Sequence, residues 1–243
     1  MNETGIFSTN CRRCQRLAGF LDEIRRDYPD YHARPVVPFG DDAPRLLIVG
    51  LAPGMHGANR TGRPFTGDHA GILLYETLHR FGFASRPVSV SADDGLELIG
   101  CRITNAVKCL PPQNKPEPGE IRQCNAFLRD EIAGLPAATA ILALGTIAHA
   151  AVLRALDLKA KDYVFGHAAV HALHGGLALY DSYHCSRYNT QTKRLTPAMF
   201  EAVFARIRDD LASITVRAEL VEACPELVEA AHSPFDKLRA NGR

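Results

Sequence analysis

Four stretches of this chain concentrate residue types that can bind or react. The richest is GLAPGMHGANRTGRPFTGD, residues 50–68, dense in glycine and proline. Glycines let backbone approach a ligand closely. The stretch is neither a Walker A loop nor a GxGxxG fingerprint, because it lacks both spacings. Phe65 stands between Pro64 and Thr66, an aromatic in a polar loop, where it stacks on a flat ring or plugs a core. Asn59, Arg60, Arg63 and Asp68 contact a ligand or cap the loop. A second stretch, YHCSRYNTQTKRLTP, gathers His184, Ser186, Arg187, Lys193 and Arg194. It reads as phosphate contacts beside a histidine donor, or as a solvated loop. Ser186 is not flanked as a nucleophile elbow.

The cysteines carry a separate signal. Cys11 and Cys14 form a Cys-x-x-Cys pair, and Cys109 and Cys124 follow far downstream. A redox pair would follow a thioredoxin-like strand, and none precedes Cys11. Four thiolates brought together suit zinc or an iron–sulfur cluster equally. Cys185 and Cys224 are left over, and Cys101, opening a strand, is expected in the core. His167, His171 and His174 are spaced four and three apart. That spacing mimics a metal-binding face, but no acidic partner is close in sequence, so surface histidines are expected.

These residues need a scaffold, and the chain alternates strand-like and helix-like runs. Strands are predicted at 45–50 (RLLIVG), 102–107 (RITNAV), 139–144 (TAILAL) and 176–183 (GLALYDSY). Helices are predicted at 70–81, 117–135, 146–156 and 196–212, the last with Thr196 as N-cap and Pro197 in its first turn. Buried strands alternating with helices predict an α/β fold: a three-layer α/β/α sandwich around a four-stranded parallel sheet. In such sheets ligands bind beyond the carboxyl ends of the strands. The glycine-rich loop, Asn105, Lys108 and Cys109, Gly145 and Thr146, and His184 with its neighbours all fall there.

The chain has 243 residues, 46% of them hydrophobic and 23% charged, with a net charge of +1. That composition excludes wholesale disorder. No apolar run is long enough to span a membrane. No secretory signal is visible at the N-terminus, so a cytoplasmic location is expected. Seven cysteines without such a signal point away from a disulfide framework. A near-neutral balance neither announces nor excludes a nucleic-acid partner, since a local basic face suffices. The last stretch, 216–243, contains ELVEA twice and reads as a disordered appendage derived from a genomic repeat. The functional domain is expected over 1–215.

Four segments, GLAPGMHGANRTGRPFTGD, ITNAVKCLPPQNKP, ILALGTIAH and SYHCSRYNT, together resemble uracil-DNA glycosylases of the iron–sulfur type. The resemblance is strongest to the type-5 (B-type) branch, with type-4 (A-type) enzymes as cousins, and runs in order over about residues 8–212. It implies a 4Fe–4S cluster on Cys11, Cys14, Cys109 and Cys124, a choice that spacing left open. It implies that Phe65 stacks on an extruded base, that Asn105 reads the base edge, and that His184 donates to a carbonyl oxygen of the leaving base. Ala52, Gly54 and His56 would complete the base pocket. Asn59 would place the attacking water, with Asp68 as second candidate. Arg60, Arg63, Lys108, Ser186, Arg187, Lys193 and Arg194 would contact DNA.

Two departures stand out. Leu51 and Ala52 occupy positions where A-type relatives and other superfamily members are polar, as in the B-type. The usual His-Pro-Ser reads His184–Cys185–Ser186, which is expected to loosen that loop. The implied activity is monofunctional excision of uracil, with hypoxanthine a second substrate, from double- or single-stranded DNA by a monomer. No lysine is placed for Schiff-base chemistry. The rival reading is a non-catalytic iron–sulfur protein that binds damaged DNA without cleaving it.

Overall fold

The computed structural model describes residues 7–223. Its elements in chain order begin with α1 (Gln15–Asp27), β1 (Phe39–Gly40), β2 (Leu46–Gly50), α2 (Ala58–Thr61), α3 (His69–Arg80) and β3 (Cys101–Asn105). Then come α4 (Pro118–Ala133), β4 (Ala140–Leu144), α5 (Thr146–Ala155), β5 (Val170–Ala172), β6 (Ala178–Ser182), α6 (Arg187–Gln191) and α7 (Pro197–Ala223). All four predicted strands form, slightly shorter than read.

The sheet has six strands rather than four, in the order β1-β3-β2-β4-β6-β5. The central four, β3-β2-β4-β6, are parallel, as the sequence led us to expect. The correction lies at the edges, where β1 and β5 are antiparallel. Those strands are two and three residues long, too short for any periodicity to register.

The parallel strands are buried on both faces, and alternate residues split between two cores. Leu46, Ile48, Ile103 and Leu142 pack under α3 and α7 with Leu74, Leu78, Phe200 and Phe204. Leu47, Val49, Ile141 and Leu179 pack against α4 and α5 with Leu128, Ile132 and Val152. The three-layer sandwich therefore holds. Each fully buried aliphatic side chain contributes about 1.5–3 kcal/mol, which is why these strands read as near-continuous apolar runs. A third, smaller core joins α1 to α4 through Leu17, Leu21, Cys124 and Phe127, together with Val107 and Leu110.

Helix ends follow their sequence signals. Pro118 opens α4, and the backbone N–H of Glu117 donates to the Glu120 carboxylate at 2.7 Å. Thr196 caps α7 by accepting from Met199 N–H at 3.2 Å. That helix runs on through Ala223, across the boundary expected at residue 215 and into the first ELVEA copy. The remainder of the expected appendage, 224–243, lies outside the described residues. Among the described residues no helix is long and apolar enough to cross a membrane.

Candidate active site

Parallel register brings the strand ends to one edge. Gly50 pairs with Asn105, and Leu144 pairs with Ser182. The loops that follow enclose a cavity of about 550 Å³. Leu51, Ala52, Gly54, Phe65, Asp68 and Asn105 line it from the chain around the ends of β2 and β3, and Gly145, Thr146, His184, Ser186, Arg187, Asn189 and Arg194 from the chain after β4 and β6. The convergence expected from the sequence is thus realised. Asn114, Phe165 and Tyr183 also line it; Asn114 and Tyr183 fall within the motifs noted above without a role of their own. Phe165 follows no motif that could have flagged it.

The glycine-rich loop is shaped by close approach. A Cβ on Gly50 would lie 2.4 Å from Asn105 Oδ1 and 2.7 Å from the Phe65 ring. A Cβ on Gly71 would lie 1.8 Å from the Phe65 carbonyl. Phe65 itself has φ of +54°, a left-handed conformation uncommon for an aromatic residue. Surrounding contacts hold it there. The Tyr75 hydroxyl donates to Pro64 O at 2.8 Å. Thr66 and Ser89 share a hydroxyl hydrogen bond of 2.7 Å. The Phe65 ring stacks near that of His184, centroids 5.8 Å apart and planes 27° from parallel.

Three polar atoms in this region are buried without a partner: Asn59 Oδ1, Asn105 Oδ1 and His184 Nδ1. Such orphans cost about 1–3 kcal/mol each and need an explanation. Asn105 and His184 both line the cavity, whereas Asn59 does not. Burial pushes the His184 ring down to about 4, so at neutral pH it is an uncharged donor. Its carbonyl accepts from Asn189 Nδ2 at 2.8 Å, and Ser186 caps α6 through Asn189 N–H. Cys185 is fully buried among core residues. Hydrogen bonds of His184 and Ser186 with Asn189 and the buried Cys185 side chain are what hold this loop.

Asp68 borders the cavity and caps α3, its Oδ1 accepting from Gly71 N–H at 3.0 Å. Burial pushes its carboxyl up, against the lowering effect of the Gly71 and Ala70 N–H groups. Asn59 is buried on α2, outside the cavity lining, with Nδ2 reaching Met55 O at 3.5 Å. His56 turns away as well: its Nδ1 pairs with the Tyr31 hydroxyl at 2.8 Å, and it borders a neighbouring groove.

Two of the expected phosphate contacts need correction. Arg63 is 5% exposed and ion-paired with Asp94 at 2.7 Å. Its guanidinium also donates to Ser89 Oγ and Ala92 O and lies over the Phe39 ring. Lys108 is 2% exposed, paired with Glu131 at 3.1 Å and bonded to Thr104 Oγ1. Sequence reveals their charge but not their depth, and neither can reach a phosphate. Arg60, Arg187, Lys193 and Arg194 are exposed, and Arg187 and Arg194 rim the cavity.

The four cysteines of the sequence pattern do converge. Cys11, Cys14, Cys109 and Cys124 line one small pocket between α1, α4 and the segment after β3. Burial, and then the mutual proximity of the sulfurs, pushes the Cys14 thiol up to about 11. The backbone N–H of Lys108 donates to Cys124 Sγ at 3.3 Å. Tetrahedral zinc would draw sulfurs to within about 3.8 Å of one another, given Zn–S bonds near 2.3 Å. Among the described residues, the one histidine, cysteine or carboxylate group with every donor atom within 4.8 Å is His149, His171 and Asp181, not these sulfurs. The all-sulfur donor set and its wider spread fit a larger iron–sulfur cluster.

A parallel α/β sandwich with a base-sized cavity at its carboxyl edge, walled by an aromatic, an amide and a neutral histidine, defines a nucleobase-handling protein. The model of the uracil DNA glycosylase superfamily matches residues 37–208. The chain belongs to that superfamily. It is 48% identical over 197 residues to a type-5 uracil-DNA glycosylase of Thermus thermophilus, covering 79% of this chain and 90% of the relative. It is 45% identical over 202 residues to a type-5 enzyme of Mycobacterium leprae, covering 80% and 88%. A type-4 uracil-DNA glycosylase of Pyrobaculum aerophilum matches more distantly, 36% identical over 117 residues, covering 48% and 52%.

Proposed function

We infer that this chain is a uracil-DNA glycosylase, a DNA-repair hydrolase that cuts the bond between a deaminated base and its sugar. The observation that carries the reading is the meeting of Asn105, His184 and Phe65 at one cavity, the first two each with an unpartnered buried polar atom. The Asn105 acceptor matches the N3–H of uracil, and its amide N–H₂ matches the adjacent carbonyl. An unpartnered acceptor is costly when empty and selective when filled.

The base first leaves the duplex, at a cost of a few kcal/mol, which stacking against Phe65 offsets. The C1′–N bond then breaks, and its electron pair departs with the base. The neutral His184 ring donates a hydrogen bond to a carbonyl oxygen of that developing anion. In a water-poor pocket such a donor is worth about 3–4 kcal/mol. Water attacks the oxocarbenium-like sugar and leaves an abasic site. Asp68 is the better water-positioning group, because it borders the cavity and Asn59 does not. Its carboxylate accepts one water hydrogen and takes the proton released.

Cys11, Cys14, Cys109 and Cys124 would hold a 4Fe–4S cluster, which when bound ties the N-terminal segment to the chain leaving β3. Arg60, Arg187, Lys193 and Arg194 contact phosphates of double- or single-stranded DNA, so binding weakens steeply with salt. The protein acts as a cytoplasmic monomer. A cavity of about 550 Å³ leaves room for hypoxanthine as well as uracil.

The test uses duplexes with a single uracil or hypoxanthine, followed by alkali to cut abasic sites. Strand breaks at uracil are expected. They should fall about 100- to 1000-fold in a His184→Ala variant that still shifts the duplex in a gel. Folded protein that binds uracil-containing DNA and releases no base would overturn the reading.

A further inference from the structure

Outside the cavity, three histidines have no role so far, and the structure gives one of them, His171, an acidic partner. His171, on edge strand β5, points its Nε2 at Asp181 Oδ2, 3.3 Å away. His149, on α5, meets the other oxygen of the same carboxylate through Nδ1 at 2.8 Å. The acidic partner absent near His171 in sequence is therefore supplied across the β5–β6 ladder. Strand pairing brings His171 opposite Leu179, and Asp181 lies on the same strand. His167 and His174 are not part of the group.

From this geometry we propose that His149 Nδ1, His171 Nε2 and Asp181 bind one divalent zinc ion, separate from the cysteine site. Three features carry it. The three donor atoms all lie within 4.8 Å of one another, with each imidazole nitrogen facing one oxygen of the Asp181 carboxylate, so that small shifts bring them to the bond lengths of about 2.0–2.1 Å that zinc takes. Two imidazoles and one carboxylate are a zinc donor set. The outer support is in place: His149 Nε2 lies 2.9 Å from Tyr163 O. Donation of the second ring N–H to a carbonyl is how metal-bound histidines are oriented.

The group is buried yet reachable. The Asp181 and His149 side chains are 0% and 5% exposed, whereas His171 is 16% exposed at the sheet edge. Zinc enters from that side, displaces the proton now shared between His149 and Asp181 into solvent, and keeps a water as fourth ligand. Its role is a staple. Phe165, which lines the base cavity, packs edge-on against the His149 ring at 5.6 Å. Asp181 N–H donates to Ala169 O at 3.0 Å. The ion would hold the segment carrying Phe165 against the strand that leads to His184.

The experiment uses the purified, iron-replete protein. Iron and zinc are counted by mass spectrometry, then the protein is titrated with zinc chloride against a chromophoric chelator. One zinc per chain is expected, with the iron count unchanged. At zinc a hundredfold above Kd, the thermal midpoint should rise by about 5–10 °C. His171→Ala, at the sheet edge, should lose both the zinc and the thermal response while keeping its iron. No uptake by folded wild-type protein would overturn the proposal and leave the group an ion pair. Uptake that is undiminished in His171→Ala would overturn it too, because that zinc would sit on other residues.

Discussion

Asp94 and Arg63 form a buried pair whose two halves are not equally dispensable. Asp94 is 10% exposed and receives N–H groups from Val90 at 2.8 Å, Ser91 at 3.3 Å and Leu96 at 3.0 Å, besides Arg63. Burial alone would raise its carboxyl, but the Arg63 hydrogen bond and those N–H groups outweigh burial and lower it. Replacing Asp94 with asparagine leaves a guanidinium charge interred with Ser89, the Ala92 carbonyl and the Phe39 ring for company. Stranding one member of a buried pair costs about 3–5 kcal/mol. Arg63→Met is milder, because the carboxylate keeps its backbone donors and methionine fills much of the space. Its cost should be near 1–3 kcal/mol. Urea unfolding of both variants at pH 7 measures the difference. Asp94→Asn should also lower the thermal midpoint by about 10 °C. If Arg63→Met costs as much as Asp94→Asn or more, the backbone donors are not what sustains Asp94, and Arg63 is the partner it depends on.

Other consequences can be checked separately. The His184 ring sits at about 4 when folded and near 6.5 when unfolded, so the unfolded chain takes up the proton first as pH falls. Stability is therefore intact above 6.5 and lost on descending through 4, by about 3 kcal/mol at most. Wild type should lose that much more than His184→Gln between pH 7 and 4; parallel curves would sink the argument. Gly50→Ala drives a methyl group into Asn105 and Phe65, and cleavage should drop at least 10-fold, with a stability loss of about 1–3 kcal/mol that leaves the protein folded at 25 °C. An unaltered cleavage rate would show that the pocket yields. Cys14→Ser should give colourless protein with poor solubility, read by absorbance near 400 nm; a folded, cluster-free and fully active variant would remove the structural role of that site.

How legible was all this from the residues? The central strands were, because a run such as LLIVG buried on both faces leaves an unmistakable apolar signature. Phe39–Gly40 and Val170–Ala172 were not, because edge strands this short are defined by their neighbours. The cavity wall was readable wherever polar residues follow strands, as at Asn105 and His184. Depth was not readable. Arg63 and Lys108 look like any surface cation until Asp94 and Glu131 are found beside them. Nor could the spacing of the three histidines reveal His171 facing Asp181, since that meeting is made by strand pairing. Asn59 and His56 were placed by likeness of motif, and the local turn sends one inward and the other aside.

The run from Asn105 to Pro111 is buried at every position. It joins the amide facing the cavity to Cys109 with no exposed residue between. Such a segment tolerates neither insertion nor a change of side-chain volume. The parts of the cavity therefore differ in how freely they can evolve. The Asn105 part is a fixed gauge, shared with a second structural centre and expensive to retune. The part of the cavity built by α6, where Arg187 is exposed at the rim, is where selection or an engineer can widen the range of bases accepted.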